Sequence, residues 1–409
     1  MAEGRAGSCI SCGGSPLAPI LDLGTTPLAN ALLAKDQLSR PEPRFPLELR
    51  FCPACSLVQI TEKVPPEKLF SEYAYFSSFS DTIVAEARKL AARLARERGL
   101  GGSSLAVEVA SNDGYLLQHY RDAGIPVLGI EPAANIARVA NERGIRTRCA
   151  FFGRSLAQEL AAEGLRADVL HANNVLAHVP DLNGFVSGIA SVLKPQGVAA
   201  IEVPYLRDLI EKCEFDTIYH EHLCYFSVSA LEPLFRRHGL GLADVERIGV
   251  HGGSLRLFAV PGGSAGAATR KLMDEERAAG MLELAYYRSF AARVDQLGAE
   301  LRGLLGRLKR EGKRVAAYGA SAKGSTLLNY FGIGARELAY VVDRSTEKQR
   351  RYTPGTHLEI LPPSHLLEDR PDYLLLLAWN LVDEIAAQQA EYRARGGRFI
   401  VPIPEVRVL

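Results

Sequence analysis

The stretch "VEVASNDG" (107–114) closes a short apolar run and leads into a helical segment, so it predicts a strand, a tight loop and a helix. Four short apolar runs of the kind found in buried strands lie at 105–109, 126–131, 168–174 and 197–204. The segments between them, such as 132–143 and 182–194, have helical spacing. This alternation predicts an α/β protein whose parallel sheet is covered by helices on both faces.

The loop at 108–114 has the spacing of the E-x-G-x-G-x-G loop of methyltransferases that use S-adenosylmethionine. Ala110 and Asn112 stand at the first two glycine positions, ahead of Gly114. Both replacements are sterically tolerable, because alanine is small and asparagine adopts left-handed backbone conformations more readily than most residues. A nicotinamide cofactor fits less well, since its pyrophosphate presses on the backbone and favours true glycines there.

Polar residues at the ends of the next two strands complete this predicted cofactor site. Glu131 ends the second strand, where it is placed to accept hydrogen bonds from a ribose diol. Asn173 and Asn174 end the third strand, near the expected position of an adenine. The sequence therefore predicts S-adenosylmethionine as cofactor, bound by Glu108, Ala110, Ser111, Asn112, Gly114, Glu131, Pro132, Asn173 and Asn174.

Two C-x-x-C pairs, "CISC" (9–12) and "CPAC" (52–55), contain four of the seven cysteines. Four thiolates suit a tetrahedral, structural zinc ion, so Cys9, Cys12, Cys52 and Cys55 are predicted zinc ligands. Free thiols and a redox pair are the alternatives. No basic helix lies between the pairs, which argues against a nucleic-acid finger.

The overall charge and hydropathy narrow the class of partner. The 409 residues include 48 basic and 47 acidic side chains, so nothing favours nucleic acid or a membrane surface. The start of the chain has no apolar signal segment, and the longest apolar run, near 373–379, is far too short to span a bilayer. We expect a cytoplasmic protein that acts on a small molecule and has no obligate protein partner.

Composition shifts predict four parts of the chain. Residues 1–66 carry the cysteine pairs, and 67–262 carry the predicted cofactor domain, which ends in an antiparallel strand pair over 242–260. A Gly/Ala/Ser stretch and a long helical region at 271–311 place a helical connector over 263–310. A second α/β unit, Rossmann-like, occupies 311–409.

The segment "IYHEHLCYFS" (218–227) concentrates two histidines, a glutamate and three aromatic residues. Imidazole is well matched to proton abstraction near neutral pH. In an extended strand, His220 and Glu221 would point to opposite faces. A second metal site at 220–222 lacks the helical H-x-x-x-H spacing, and Cys224 as a nucleophile is a further alternative.

Several motifs follow one another along nearly the whole chain: the two cysteine pairs, "DLGTTPLAN" (22–30), "EYAYFSSFS" (72–80), "VEVASNDG", "IYHEHLCYFS", "HGGSLRLF" (251–258) and "YGASAKGSTLLNY" (318–330). In this ordered set the sequence resembles the C-methyltransferases of nucleotide-linked deoxysugars, which build branched sugars for antibiotics and cell-surface glycans. The resemblance implies a zinc-binding N-terminal lobe, a central class I methyltransferase domain and a C-terminal Rossmann-like lobe. Most members methylate C3 and some C5, a choice that the sequence leaves open.

Methyl transfer to carbon requires a carbanion-like nucleophile, which arises when a neighbouring ketone makes a C–H bond acidic. The protein must then supply a base, a stabiliser of the enolate oxygen, and alignment. The resemblance implies that His222 is the base and that His178 binds the keto oxygen or relays the proton. It also implies a site lined by Glu221 and Tyr219 and closed by Tyr73 or Tyr75, with His251 near the substrate.

The C-terminal "YGASAKGST" lies between a strand and a helix, and Asp343 ends the following strand, as in a dinucleotide fingerprint. It is not a P-loop, because Lys323 precedes Gly324. One interpretation is that backbone amides and Lys323 bind the pyrophosphate of a nucleotide-sugar substrate. An NADPH site and a lobe that only packs are the alternatives.

Three other functions stay open at this point. The chain is a nicotinamide-dependent keto-sugar reductase or epimerase if the C-terminal lobe holds the reactive cofactor. It is a zinc-stabilised binding protein if the methyltransferase fold is retained without turnover. An O- or N-methyltransferase would not need the histidine cluster as a carbon-acid base.

Overall fold

A computed structural model describes residues 7–65, 69, 76–249 and 252–409. Three sheets organise this part of the chain into an N-terminal, a central and a C-terminal lobe. Tyr73, Tyr75 and His251 lie outside the described residues.

The N-terminal lobe is a small antiparallel sheet that carries both cysteine pairs. Its own strands are β1 (Ala18–Pro27), β2 (Arg44–Phe51) and β3 (Val58–Ile60). A fourth strand, Cys224–Tyr225, comes from the central part of the chain and pairs with β3. The first lobe and the histidine segment therefore share one sheet.

The central lobe is a seven-stranded sheet with helices on its faces. Its strands are β4 (Ala106–Val109), β5 (Val127–Ile130), β6 (Thr147–Arg148), β7 (Ala167–Asn173), β8 (Leu193–Pro204), β10 (Leu240–Ile248) and β11 (Ser254–Pro261). The strand Cys224–Tyr225 of the N-terminal sheet is β9. The helices are α1 (Asp81–Glu97), α2 (Leu117–Asp122), α3 (Ala134–Glu142), α4 (Arg154–Ala162), α5 (Leu182–Val192), α6 (Leu206–Glu211) and α7 (Val228–Arg237).

The strand order in the central sheet is β10-β11-β8-β7-β4-β5-β6. Strands β4 to β8 run parallel, whereas β10 and β11 form the expected antiparallel pair at the edge. Every residue of β4 is buried, because helices cover both faces of the sheet. The class I methyltransferase fold predicted for this part of the chain is confirmed.

The C-terminal lobe is a six-stranded sheet in the order β14-β13-β12-β15-β16-β17. Its strands are β12 (Val315–Tyr318), β13 (Val341–Val342), β14 (Ile360–Leu361), β15 (Tyr373–Leu376), β16 (Arg398–Val401) and β17 (Arg407–Val408). The helices from the connector onward are α8 (Ala267–Ala278), α9 (Phe290–Arg310), α10 (Ala322–Phe331), α11 (His365–Asp369), α12 (Val382–Gln388) and α13 (Ala390–Ala394).

The predicted helical region at 271–311 contains two helices. Gly280, at φ +82°, follows the end of α8 in a conformation that favours glycine. A short 3₁₀ turn at Leu284–Tyr287 then redirects the chain into α9. The two helices connect the central and C-terminal sheets.

Backbone pairing also joins the N-terminal and C-terminal lobes. The Leu33 and Tyr352 amides donate to each other's carbonyls at 2.9 and 2.8 Å. Glu42 accepts hydrogen bonds from the Gly355 amide and from the His357 ring. One apolar core runs through residues of all three lobes. Within the described residues, no helix has the length and apolar character needed to cross a membrane.

Candidate active site

The histidine segment lies where the three lobes meet. A 3₁₀ turn at Phe215–Thr217 packs beside α10 of the C-terminal lobe, and β9 joins the N-terminal sheet. Between them, the His222 amide donates to the Tyr219 carbonyl at 2.9 Å, which closes a turn instead of continuing a strand. The turn places the side chains of Tyr219 and His222 side by side.

The His222 ring is held by hydrogen bonds at both nitrogens. Nδ1 lies 2.9 Å from the Thr217 carbonyl oxygen, which can only accept, so Nδ1 carries the proton. In the neutral ring, Nε2 is then an acceptor, and it lies 2.8 Å from the Tyr219 hydroxyl. The Tyr219 O–H therefore donates to the nitrogen of His222 that has a free electron pair.

His178 is the second histidine that the structure brings to this place. It ends a 3₁₀ turn, Leu176–His178, that follows β7, and its ring centroid lies 4.8 Å from that of His222. Burial lowers the pKa of His178 to about 4, although hydrogen bonds with the backbone of Glu221 and Asn174 act in the opposite direction. His178 is therefore a neutral imidazole at pH 7.

Glu221 is a buried acid that the N-terminal lobe helps to hold. Its Oε1 accepts a hydrogen bond of 2.7 Å from Asn30 Nδ2, whereas its buried Oε2 has no hydrogen-bond partner among the described residues. Burial raises the pKa of Glu221 to about 7, against the opposing effects of Asn30 and the Lys348 charge. Asn30 ends the motif at 22–30, but nothing in the sequence indicates its contact with Glu221.

The remaining members of the segment turn away from His222. His220 donates a hydrogen bond of 3.1 Å to the Pro46 carbonyl and packs against Phe45. Cys224 is buried in β9, and burial raises the pKa of its thiol well above 9. Within the described part of the chain, no second metal-ligand cluster forms at 220–222.

The loop after β4 has the backbone of a glycine-rich loop. Ala110, Asn112 and Gly114 have φ values of +55°, +49° and +81°. Glu131 fixes this loop, because its carboxylate accepts hydrogen bonds of 2.9 Å from the amides of Asn112 and Ala133. Each carboxylate oxygen keeps a second lone pair for another donor.

Two buried polar atoms in and beside this loop lack a hydrogen-bond partner within the protein as described. Ser111 Oγ and Asn173 Oδ1 are buried without a hydrogen-bond partner among the described residues. Such atoms are costly unless a ligand or water satisfies them. The donors and acceptors present at Ser111, Glu131 and Asn173 fit the polar groups of S-adenosylmethionine. Of the other predicted residues, Pro132 and Asn174 directly follow Glu131 and Asn173.

Glu108 differs from the other loop residues because it is enclosed within the sheet. Its position in β4 pairs with His171 of β7. Burial raises its pKa well above 4.5, and the charges of Asp113 and Glu131 add to that rise. Glu108 therefore favours its neutral form.

Two residues near the cofactor loop were missed by sequence reasoning. Tyr115 and Glu202 line a small cavity that also touches Asn173 and Asn174. Glu202 is buried and accepts a hydrogen bond of 2.7 Å from Arg256 of β11. The acid within the apolar run at 197–204 was the available signal.

The four predicted cysteine ligands converge. The Sγ atoms of Cys9, Cys12, Cys52 and Cys55 all lie within 4.8 Å of one another. Four sulfurs at this separation suit a tetrahedral zinc ion without an open coordination position. The donor set therefore fits a structural zinc ion.

The C-terminal loop uses most of its polar groups internally. Asp343 accepts a hydrogen bond of 2.8 Å from the Ala320 amide, and Ser321 Oγ caps α10 by accepting from Gly324. The ammonium group of Lys323 is buried 4.9 Å from the centroid of the Trp379 ring. Lys323 therefore faces the interior, and its predicted contact with a pyrophosphate stays a prediction.

Comparison with known proteins identifies the family. A zinc-binding-domain model matches residues 9–70, a methyltransferase-domain model matches 83–245, and the C-methyltransferase C-terminal domain matches 249–404. The C-methyltransferase NovU of Streptomyces niveus is 39% identical over 404 residues, which is 98% of this chain and 96% of that protein. The chain belongs to this C-methyltransferase family. It is an S-adenosylmethionine-dependent methyltransferase with a zinc-binding N-terminal domain, as predicted.

More distant similarities involve only part of this C-methyltransferase. The ubiquinone biosynthesis O-methyltransferase of Rhodopseudomonas palustris (strain TIE-1) is 26% identical over 95 residues, 23% of this chain and 38% of that protein. The magnesium protoporphyrin IX methyltransferase from Synechocystis PCC 6803 covers 44% of this chain and 79% of its own, with 16% identity and a TM-score of 0.34. The PH0226 protein from Pyrococcus horikoshii OT3 covers 48% and 98%, with 16% identity and a TM-score of 0.37.

Proposed function

We propose that this C-methyltransferase acts on carbon C3 of a nucleoside-diphosphate keto-deoxysugar. The observation that carries the proposal is the hydrogen-bonded series from the Thr217 carbonyl through His222 to the Tyr219 hydroxyl. Because Nδ1 holds the proton, Nε2 keeps the electron pair that a base requires. The choice of a sugar substrate and of C3 rests on the resemblance of the ordered motifs.

The proposed chemistry begins with removal of a proton from the carbon beside the ketone. Tyr219 Oη takes this proton while its own hydroxyl proton passes to His222 Nε2. A C–H and an O–H bond break, a new O–H and a new N–H bond form, and the products are an enolate and an imidazolium cation. The 2.8 Å separation of Oη and Nε2 supports this transfer.

Neutral His178 and Glu221 are the proposed stabilisers of the enolate oxygen. His178 lies beside His222 and carries no charge at pH 7. Glu221 has a buried oxygen free to meet the substrate, and with a pKa of about 7 it is half protonated near neutrality, so it can donate to an enolate oxygen. The resemblance adds Tyr73 or Tyr75 as a closing residue and His251 and Lys323 as substrate contacts.

The cofactor is proposed to lie on the loop after β4, at the carboxyl edge of the central sheet. S-adenosylmethionine supplies an electrophilic methyl group there for the carbanion-like carbon. Ala110, Asn112 and Gly114 shape the loop, and Glu131 is the proposed ribose ligand. The other proposed cofactor contacts are Glu108, Ser111, Pro132, Asn173 and Asn174.

The test combines methyl transfer with exchange of the substrate proton. Wild-type protein is incubated with a panel of keto-sugar nucleotides, and we expect a gain of one methyl group by mass spectrometry. In D₂O with S-adenosylhomocysteine, we expect the sugar α-proton to exchange. His222→Asn should lose both reactions but keep its affinity for S-adenosylhomocysteine.

His220→Asn is the matched control, because the neighbouring imidazole contacts Pro46 instead of the site. Full methyl transfer by His222→Asn would refute the assigned base. Binding of NADPH in place of S-adenosylhomocysteine by calorimetry would favour the reductase. Methylation at oxygen or nitrogen, read from the product by NMR, would refute C-methylation of the sugar.

A further inference from the structure

We infer that the C-terminal lobe positions His222 for methyl transfer through Trp379 and Thr326, an inference that rests on the proposed function. These two side chains donate hydrogen bonds to Asp216 and Ile218, the residues on either side of Thr217. They are therefore positioning residues, and the lobe has a role in the reaction that is separate from binding a nucleotide.

The contacts fall on three consecutive residues. The buried Asp216 accepts a hydrogen bond of 2.7 Å from Trp379 Nε1, and the Ile218 carbonyl accepts one of 3.3 Å from Thr326 Oγ1. Between them, the Thr217 carbonyl accepts from His222 Nδ1. The C-terminal lobe thus holds Asp216 and Ile218, the residues on either side of Thr217, whose carbonyl accepts the Nδ1 proton of His222.

The charge of Lys323 favours the ionised forms of the two buried acids in this turn. Asp216 is fully buried and Glu214 nearly so, and burial raises their pKa values to about 6 and about 7. For both acids, the positive charge of Lys323 is the largest effect that lowers the pKa against burial. With Lys323 in place, Asp216 is mainly a carboxylate at pH 7 and a strong acceptor for Trp379.

The orientation of the Thr217 carbonyl decides which nitrogen of His222 carries the proton. If that carbonyl turned away, Nδ1 would lose its acceptor and the proton could move to Nε2. Nε2 would then donate instead of accepting, and the Tyr219 proton could no longer pass to it. Misplacement of a reacting group by about 1 Å costs about 10²-fold in rate.

The experiment removes one donor at a time. Trp379→Phe keeps the ring and loses the N–H, and Thr326→Val keeps the shape and loses the hydroxyl. For each variant we expect kcat to fall by about 10²-fold with an unchanged Kd for S-adenosylhomocysteine. In ¹⁵N NMR spectra of the ligand-free protein, the His222 signals should shift from the Nδ1–H form toward a mixture of both tautomers.

A matched control and a rescue separate positioning from general destabilisation. Thr269→Val removes a similar buried bond, from Thr269 Oγ1 to the Leu242 carbonyl at 2.8 Å, outside the site, and should keep kcat and the His222 signals. Adding Asp216→Asn to Trp379→Phe should restore part of kcat, because a neutral amide tolerates the lost donor better than a carboxylate does.

Wild-type kcat together with an unshifted Nδ1–H signal in both variants would overturn the inference. So would an equal loss of kcat in Thr269→Val. A shifted His222 proton with undiminished methyl transfer would support the positioning and refute His222 as the base. The NMR measurement needs no substrate, so it decides the positioning even if the proposed sugar is wrong.

Discussion

The Tyr219 hydroxyl lies 2.8 Å from His222 Nε2, the nitrogen that is left unprotonated by the bond from Nδ1 to Thr217. In the proposed mechanism the two residues act as one unit: the tyrosine oxygen takes the substrate proton and its own proton passes to the imidazole.

The proposed proton relay requires the Tyr219 hydroxyl as well as the His222 imidazole. Tyr219→Phe removes the oxygen that carries the proton, so kcat should fall by at least about 10²-fold while the Kd for S-adenosylhomocysteine stays unchanged. Methyl transfer and α-proton exchange are the measurements. Tyr287→Phe, which removes another buried hydroxyl that bonds to the Met281 carbonyl, is the control and should keep its rate. Equal rates for wild type and Tyr219→Phe would exclude the relay.

Glu221 should make the stability of the protein depend on pH. Its pKa is about 7 in the folded chain and near 4.5 in the unfolded chain, so between these values the folded chain binds more protons. The stability associated with neutral Glu221 is complete below about pH 4.5 and is lost as the pH rises to about 7. Glu221→Gln cannot ionise, and its unfolding free energy should gain up to about 3 kcal/mol on wild type over this range.

Urea unfolding at several pH values measures the Glu221 effect. Glu97→Gln changes an exposed carboxyl at the end of α1 and should run parallel to wild type. A difference between Glu221→Gln and wild type that does not change with pH would contradict the raised pKa.

Two small substitutions in the cofactor loop should have different effects on cofactor binding. Ala110→Gly relieves a left-handed alanine, so we expect unchanged affinity for S-adenosylhomocysteine and a stability gain of up to about 1 kcal/mol. Gly114→Ala places a methyl group 2.7 Å from Ile145 Cγ1 at φ +81°, and should weaken binding by at least about tenfold. Titration calorimetry measures the affinity of both variants, and thermal unfolding measures the stability of Ala110→Gly. Tight binding by Gly114→Ala would show that the loop tolerates a side chain at this position.

Zinc should matter for activity as well as for folding of the N-terminal lobe. Cys52→Ser removes one of the four converging sulfurs, so bound zinc should drop well below the wild-type ratio of about one per chain. Because β3 pairs with β9, methyl transfer should decline in the same variant. Metal analysis and rate are compared with Cys149→Ser, an exposed cysteine outside the cluster. Full methyl transfer by zinc-depleted Cys52→Ser protein would show that the activity does not depend on zinc.

Regular patterns in the sequence were sufficient to predict the central and C-terminal sheets and the grouping of the four cysteines, but not the antiparallel N-terminal sheet. The apolar runs around Glu108 and Glu131 predicted parallel strands, because burial on both faces leaves few alternatives for such runs. Cys9 and Cys52 were recognisable by chemistry and spacing alone. The family motifs also selected His178 and His222, which the fold brings within 4.8 Å of each other.

The contacts that tune the site had no such signal. Asn30 reaches Glu221 only after the N-terminal lobe packs on the central one. The acceptor for His222 is the backbone carbonyl of Thr217, which any residue at that position would provide. The sequence suggested an extended strand at 219–222, but the His222 amide bonds to the Tyr219 carbonyl and closes a turn. The geometry of this turn depends on the position of Thr217, which tertiary contacts set.

The mutual backbone bonds of Leu33 and Tyr352, together with the β3–β9 pair, restrict how relatives of this enzyme can be recombined. A chimera that borrows its last hundred or so residues from a homologue would inherit a foreign surface against both the metal-bearing lobe and the turn at 215–218. Successful grafts should therefore exchange the outer lobes together, with the crossover points placed so that Asn30 and Trp379 keep their original counterparts.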